Sequence, residues 1–488
     1  MGLVCIRFNF SWTKLGFGLN PVPTFAPRKV NPSELMSSII RIRKGADIRL
    51  KGRAHAHVST APVSGKYAVQ PGDFHGVVPK LIVRPGDTVK AGDPLFHDKY
   101  HPQVQYLSPV SGEVTDVVRG AKRRILAIEV TPDGKDERRT FDIPDLGKAS
   151  REDVLALLAA GGWFGFIKQR PFDVPANPDV TPRSVHISGF NSGPLAPESG
   201  LVMEGRIDAF QHGIDALAKV AGAGGVHLGV KSGDATFDGI VGVNKSTFEG
   251  PHPAGNVGVQ IHHTWPINRG EVVWTMHYED VAALGDFLKT GTYAPERVIA
   301  AAGSACPNPN HFRIRLGAQV QSLLGGAAFD ASNVRIVSGD ALTGKQVDAN
   351  GYVTAFARQL TLLPEGNKPK FLLADGWLGL GFDKFSLSRA YPTWLLPKTK
   401  EFEMDTCSNG EERAFVVTGQ YEQVFPFDIY PVQLLKSIMV NDIDGMEKLG
   451  IYEVAPEDFA LCEYACTSKI DVQQIVREGL DTLKQELG

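Results

Sequence analysis

The chain has 488 residues, 43% hydrophobic and 22% charged, with a formal net charge of -3. That length predicts about three domains at ~150 residues each, with the composition of an ordinary soluble globular protein. The near-neutral charge gives no electrostatic case for nucleic acid, and no basic run interleaved with aromatics supplies one.

The longest apolar window, Val154 to Ile167, is interrupted by Gly161, Gly162 and Gly165. A spanning helix needs ~20 apolar residues, so no transmembrane segment is expected. Five scattered cysteines, an odd number, fit reduced cytosolic thiols better than a disulfide framework.

In residues 1–38, prolines at 21, 23, 27 and 32 work against regular structure, and no apolar signal region appears. This stretch is expected to be a disordered tail or a mis-assigned start, with Met36 a candidate first residue. Residues 39–145 read as short strands separated by Pro85-Gly86-Asp87, Gly92-Asp93 and Ser111-Gly112. The order V-x-x-GD-x-V-x-x-G-x-x-L followed by SP-x-x-G-x-V resembles the biotinyl/lipoyl carrier barrel. Lys99 lacks the carrier context, so the barrel is expected to be scaffold and Lys99 a solvated turn lysine.

In residues 146–292, Ser150 and Asp153 predict a capping box for a helix ending at Gly161-Gly162. The run GGWFGFIKQRPFD that follows resembles the flavin subunit of respiratory complex I and the C subunit of the Rnf complex. Those families carry a glycine-rich loop that cradles the flavin phosphate, and such close approach needs glycine. Trp163, Phe164, Phe166 and Lys168 stand there instead, so the resemblance implies an inherited fold without the flavin site. Strands at 184–188 and 226–230 flank an amphipathic helix at 204–222, which predicts a parallel, Rossmann-like sheet. The glycines of VAGAGGVHLG precede a strand and read as a helix stop.

Within that region, the loop Gly250–Gly255 is expected to open onto a strand with Val257, Val259 and Ile261 on one face. A turn at Pro266–Gly270 then leads to a strand with Val272, Trp274 and Met276. Adjacent His262 and His263 on a strand point to opposite faces and cannot grip one ion, so no metal is expected. The run GPHPAG-xxG-xxIHH followed by VVWT resembles the A-subunit family of the Na+-translocating NADH:quinone oxidoreductase (Na+-NQR). That resemblance extends from about Ile39 to the C-terminus.

Residues 293–400 suggest strand, turn, strand and a short helix in LGAQVQSLLGG, which resembles the SLBB type of β-grasp. Cys306 reads there as a small buried core residue. Residues 401–488 predict a helical cap, with Val472, Ile475, Val476, Leu480, Leu483 and Leu487 on one face. Cys462 and Cys466 fall where the Rnf and complex I relatives bind an iron–sulfur cluster. Two thiolates cannot hold a cubane alone, so the region reads as degenerate. The expected fold class is multidomain α/β: carrier-like barrel, Rossmann-like sheet domain, SLBB-type β-grasp and C-terminal helical cap.

The resemblance implies a peripheral subunit on the cytoplasmic face of the bacterial inner membrane, beside the quinone-reducing membrane subunit. The complex it implies oxidises NADH, reduces ubiquinone or menaquinone and exports Na+. This chain is then expected to be non-catalytic and to bind no cofactor, with NADH, flavins and iron–sulfur clusters on other subunits and quinone a possible ligand. The alternatives are an autonomous flavin and iron–sulfur NADH-oxidising protein, or a biotinyl or lipoyl carrier. The nominated contact for quinone or a partner is His252, His262 and Trp265, because a rigidly held Gly/Pro-rich loop exposes backbone N–H groups and neutral imidazoles donate hydrogen bonds.

Overall fold

The structure, a computed structural model, describes residues 39–324, 332–367, 370 and 378–487. The expected tail and the Gly325–Gly326 end of the expected short helix lie outside the described residues.

Turn chemistry shapes the first domain. Gly86 and Gly92 both adopt positive φ, and the aspartate after each accepts a bond from the backbone three residues upstream: Asp87 from Arg84 N at 2.7 Å, Asp93 from Lys90 N at 2.8 Å. These turns connect two antiparallel sheets. One runs Tyr67–Val69, Ile125–Pro132, Gly112–Arg119, Thr88–Val89, and the other Pro79–Leu81, Pro94–Asp98, Gln105–Leu107. Leu95 and Phe96 from the second join Val114 and Ile128 from the first in one core. Lys99 is exposed beside the second sheet, its ammonium 5.4 Å from the Tyr100 ring centroid.

The capping box forms as its spacing predicts. Asp153 N donates to Ser150 Oγ at 3.1 Å and Ser150 N to Asp153 Oδ2 at 3.0 Å, at the head of the helix Arg151–Ala160. Seven strands form the central sheet, in the order Ile40–Arg41, Asn244–Glu249, Val226–Lys231, Val185–Ser188, Val273–Thr275, Lys168–Arg170, Val174–Pro175. The first five are mutually parallel, and the last two add antiparallel at one edge. The helix Ile207–Val220 buries Phe210, Ile214 and Leu217 at helical spacing. It lies very close to the helix Tyr278–Thr290. A Cβ on Gly285 would stand 1.7 Å from Ala209 O, and one on Gly213 2.2 Å from Val281 O, so both positions require glycine.

One expected strand is a helix. Residues Val257–Thr264 are α-helical, and Val257 and Ile261, four apart, pack with Ile267 and Val273. Val259 turns the other way, into the core shared with the C-terminal helices. The alternating β-branched residues mimic a strand, but their three side chains serve two different cores, and tertiary packing overrides propensity.

A six-stranded sheet follows, ordered Lys345–Val347, Val334–Ser338, Gln359–Pro364, Glu296–Ala302, Asn310–Arg315, Val58–Thr60. It contains the expected strand–turn–strand and the short helix Val320–Leu323. Cys306, in the turn, packs against the main core but is only partly buried, because it follows the strand out of the sheet. The helices Pro431–Met439, Ile443–Lys448, Ala460–Ala465 and Val472–Leu487 bury Leu434, Met446, Cys462 and Leu480 in a second core with Ile42, Phe248 and Val259. Leu487, expected on the apolar face of the last helix, is exposed at the end of that helix.

Candidate functional site

The loop Gly250–Gly255 is clamped from two sides. From the N-terminal segment, Ala46 N donates to His252 O at 2.8 Å and Asp47 Oδ1 accepts from His252 N at 2.9 Å. From the strand end at Ser188, Ser192 Oγ accepts from Gly255 N at 2.8 Å and lies 3.0 Å from His252 Nδ1. Ala254 N and Asn256 N bond to Pro251 O and Pro253 O inside the loop. The backbone donors of residues 252, 254, 255 and 256 are therefore engaged within the chain, contrary to the exposed N–H groups expected. The clamping residues lie far away in sequence, which is why the loop alone reads as open.

The three nominated side chains do not converge. His252 is buried; its Nε2 has no protein partner among the described residues, and burial lowers its pKa against the opposing charges of Asp340 and Asp47. His262 Nδ1 donates to Glu453 Oε2 at 2.6 Å, and its Nε2 accepts from Asp428 N at 2.9 Å. His263 Nε2 donates to Pro426 O at 2.9 Å, and burial followed by its neighbour His262 pushes its pKa down to about 4. The two imidazoles are successive on a helix, not on opposite faces of a strand, and each holds the C-terminal segment. Trp265 is 39% exposed, with the Arg183 guanidinium 4.0 Å from its ring centroid.

The loop after the first long helix is filled with aromatics. Trp163, Phe164 and Phe166 are all buried. Phe164 meets Trp274 edge-on at 5.6 Å, Trp163 lies 5.7 Å from Phe287 and 5.9 Å from Tyr293, and Phe166 lies 6.0 Å from Phe356. The barrel closes the other side, where a Cβ on Gly165 would stand 2.9 Å from the Tyr106 ring. These side chains join barrel, central sheet and second sheet in one core around Gly162–Gly165. Cys462 and Cys466 are buried in the C-terminal core, where burial pushes the Cys462 thiol up, away from the thiolate that a cluster needs.

Two buried ion networks, which no local motif announces, fix the domains. Arg170 donates to Glu457 Oε1 at 2.6 Å and to Asp458 Oδ2 at 2.9 Å. Gly258 allows this contact, since a Cβ there would stand 2.4 Å from Arg170 Nη1. In the second network Asp280 accepts from Arg297 at 2.5 Å and from Arg358, while Glu279 Oε1 accepts from Val298 N at 2.5 Å.

Fold and site together define a multidomain α/β scaffold in which the loop at Gly162–Gly165 is a packing element. Three family models match the chain: "NqrA N-terminal barrel-sandwich hybrid domain" at residues 40–133, "NqrA second alpha/beta domain" at 149–293, and "NQRA C-terminal domain", of SLBB type, at 298–349. The A subunit of the Na(+)-translocating NADH-quinone reductase of Rhodopirellula baltica is 36% identical over 458 residues, covering 92% of this chain and 99% of the relative. That of Hahella chejuensis is 34% identical over 453 residues, covering 92% and 100%. A solved NAD+-reducing [NiFe]-hydrogenase in the air-oxidized state aligns at 11% identity and a TM-score of 0.35, over 71% of this chain and 63% of that one, too weak to carry an argument. The chain belongs to the NqrA family, the A subunits of the Na+-translocating NADH-quinone reductase.

The filled loop gives a direct expectation. The purified chain, handled anaerobically, should show neither a stoichiometric flavin absorbance band nor a cluster signal in paramagnetic resonance. Either signal at one per chain defeats this reading of the loop and the cysteines.

Proposed function

We propose that this chain is a peripheral, non-catalytic subunit of a sodium-exporting NADH:quinone reductase, seated on the cytoplasmic face beside the quinone-reducing membrane subunit. In this reading the hydride and electron carriers sit on other subunits, and this chain supplies shape and a docking surface. The observation that carries it is the burial of Trp163, Phe164 and Phe166 where a flavin phosphate loop would stand, in a chain of this family. The α/β unit is then a Rossmann-like domain without its ligand, the C-terminal helices form a cap over it, and the domain limits are 39–145, 146–292, 293–400 and 401–488. Isolation of the complex from solubilised membranes tests the assignment: this chain should co-purify with membrane subunits at one copy each, and a freely soluble chain excludes it.

The contact for quinone or a partner is proposed at Trp265, which presents surface, with His252 and His262 fixing the loop and helix that lead to it. His252→Ala is expected to lower quinone reduction or weaken assembly. It should shift the melting temperature of the isolated chain by only a few degrees, as for a loss of about 1 kcal/mol. His252→Asn, which can keep a bond to Ser192, should restore part of the activity. Unchanged activity and assembly in His252→Ala, or outright unfolding, makes the loop purely structural.

A further inference from the structure

Residues 378–400 form a surface that neither the aromatic-filled loop nor the clamped loop uses. Leu378, Leu380, Phe382, Trp394 and Leu395 are exposed there, Leu380 to 81% and Leu395 to 65%. Single exposed apolar residues are ordinary, but five in one short segment are a patch that needs an occupant. The same segment carries Lys384, Arg389, Lys398 and Lys400 against one acid, Asp383, in a chain whose net charge is -3.

The segment is built to hold this display. Thr393 Oγ1 donates to Lys384 O at 3.0 Å and accepts from Ser386 N at 2.9 Å. Arg49 donates to Thr393 O at 2.8 Å and to Pro397 O at 2.6 Å, and its guanidinium lies 5.7 Å from the Phe385 ring and 5.1 Å from that of Phe402. Lys400 Nζ donates to Phe382 O at 2.6 Å. Phe385 and Thr393 thus face the body of the protein, while Leu380, Trp394 and Leu395 are left outside on a fixed backbone.

We propose that residues 378–400 are a membrane-surface anchor that seats on an anionic lipid bilayer. Trp394–Leu395 and Leu380–Phe382 enter the headgroup boundary, and Arg389 and Lys398 meet lipid phosphates. Tryptophan favours that boundary, and stable peripheral attachment takes two weak signals, an apolar insertion and a basic cluster; this segment carries both. The charge pattern selects lipid over a protein groove, because each basic residue near an anionic surface adds about 1 kcal/mol. The biological setting rests on the proposed peripheral subunit, but the test uses this chain alone.

Full-length chain is mixed with vesicles of phosphatidylcholine containing roughly 30% phosphatidylglycerol, or of phosphatidylcholine only, and floated on a density gradient. The chain should float with the anionic vesicles, far less with the neutral ones, and less again at ~0.5 M salt. The Leu380→Ser/Trp394→Ser/Leu395→Ser variant should stay at the bottom with an unchanged melting temperature. Arg389→Gln/Lys398→Gln, which leaves every apolar residue in place, should lose about thirtyfold in vesicle affinity. The proposal is overturned if the wild type does not float, or if both variants float like it. A wild type that fails to float, paired with a triple variant that loses its partner subunits on purification, assigns the patch to a protein and also overturns it. Vesicle binding without co-purifying subunits leaves the anchor standing and removes the peripheral-subunit reading.

Discussion

Replacing Arg170 by methionine is expected to destabilise the docking of the C-terminal helices by about 3 to 5 kcal/mol. Arg170 is 1% exposed, and the side chain of its partner Asp458 is 0% exposed. Burial alone would lower the guanidinium pKa, but the carboxylates of Asp458 and Glu457 outweigh it and raise it, so Arg170 keeps its charge. Removing the cation leaves the Asp458 carboxylate in a dry site where, among the described residues, the Ala455 N–H donates to it at 2.9 Å. Most of the cost is that stranded charge, so the double variant Arg170→Met/Asp458→Asn should be less destabilised than Arg170→Met alone. Urea unfolding, read together with limited proteolysis of residues beyond 420, measures both. If Arg170→Met costs less than about 1 kcal/mol, the pair is effectively solvated and the apolar core alone holds the helices.

Acidification should weaken the fold well before ordinary carboxylates titrate. Burial holds His186 and His277 well below the ordinary value of 6.5, and His263 down to about 4. His227, His252 and His311 are lowered in the same way, burial first. A histidine whose folded pKa is depressed takes up its proton more readily when unfolded. Stability present above about pH 6.5 is therefore lost as the pH falls toward the folded values. Glu457 acts in the opposite sense: burial lifts it to about 7, so its contribution is present below the unfolded value of 4.5 and is lost as the pH rises through 7. Asp73, Glu279 and Glu463, raised by burial, share that sign. The histidines are more numerous in the window between about pH 5 and 6.5, so the urea midpoint should fall from about pH 7.5 to 5.5. His263→Gln, which can still donate to Pro426 O, should flatten that slope. A midpoint that rises on acidification shows the buried acids to dominate.

What is legible in the sequence is local. The Ser150–Asp153 capping box, the strand–helix–strand from Val185 to Lys231 and the Gly-Asp turns of the barrel are each specified within a few residues, and each stands where its spacing puts it. The bulk of Trp163, Phe164 and Phe166 is readable as an obstruction, though not as the junction of three domains. The helix Val257–Thr264 reads as a strand because Val257, Val259 and Ile261 alternate like one, and the two cores that they serve are assembled by distant segments. The clamp on His252 is invisible for the same reason: its bond to Asp47 spans 205 positions. The nominated residues therefore mark a real structural junction, but their groups are arranged otherwise than the sequence suggests. The Arg170–Asp458 contact, 288 positions apart, has no local signature at all.

The way residues 40–60 are paired has a consequence for biosynthesis. Arg41 bonds across to Glu249, 208 positions later, and Ser59 Oγ accepts from Asn310, 251 positions later. At ~5–20 residues per second, a ribosome takes roughly 10 to 40 s or more to deliver those partners. Through that interval the nascent segment carries two short strands with unpaired edges, while the barrel downstream of it already has its own partners within about one hundred residues. The earliest strands of the described chain to be translated are thus among the last to find their sheets. Each adds to the edge of its sheet, the first to the central sheet and the second to the six-stranded one, and a chaperone that holds nascent chains would act on this stretch.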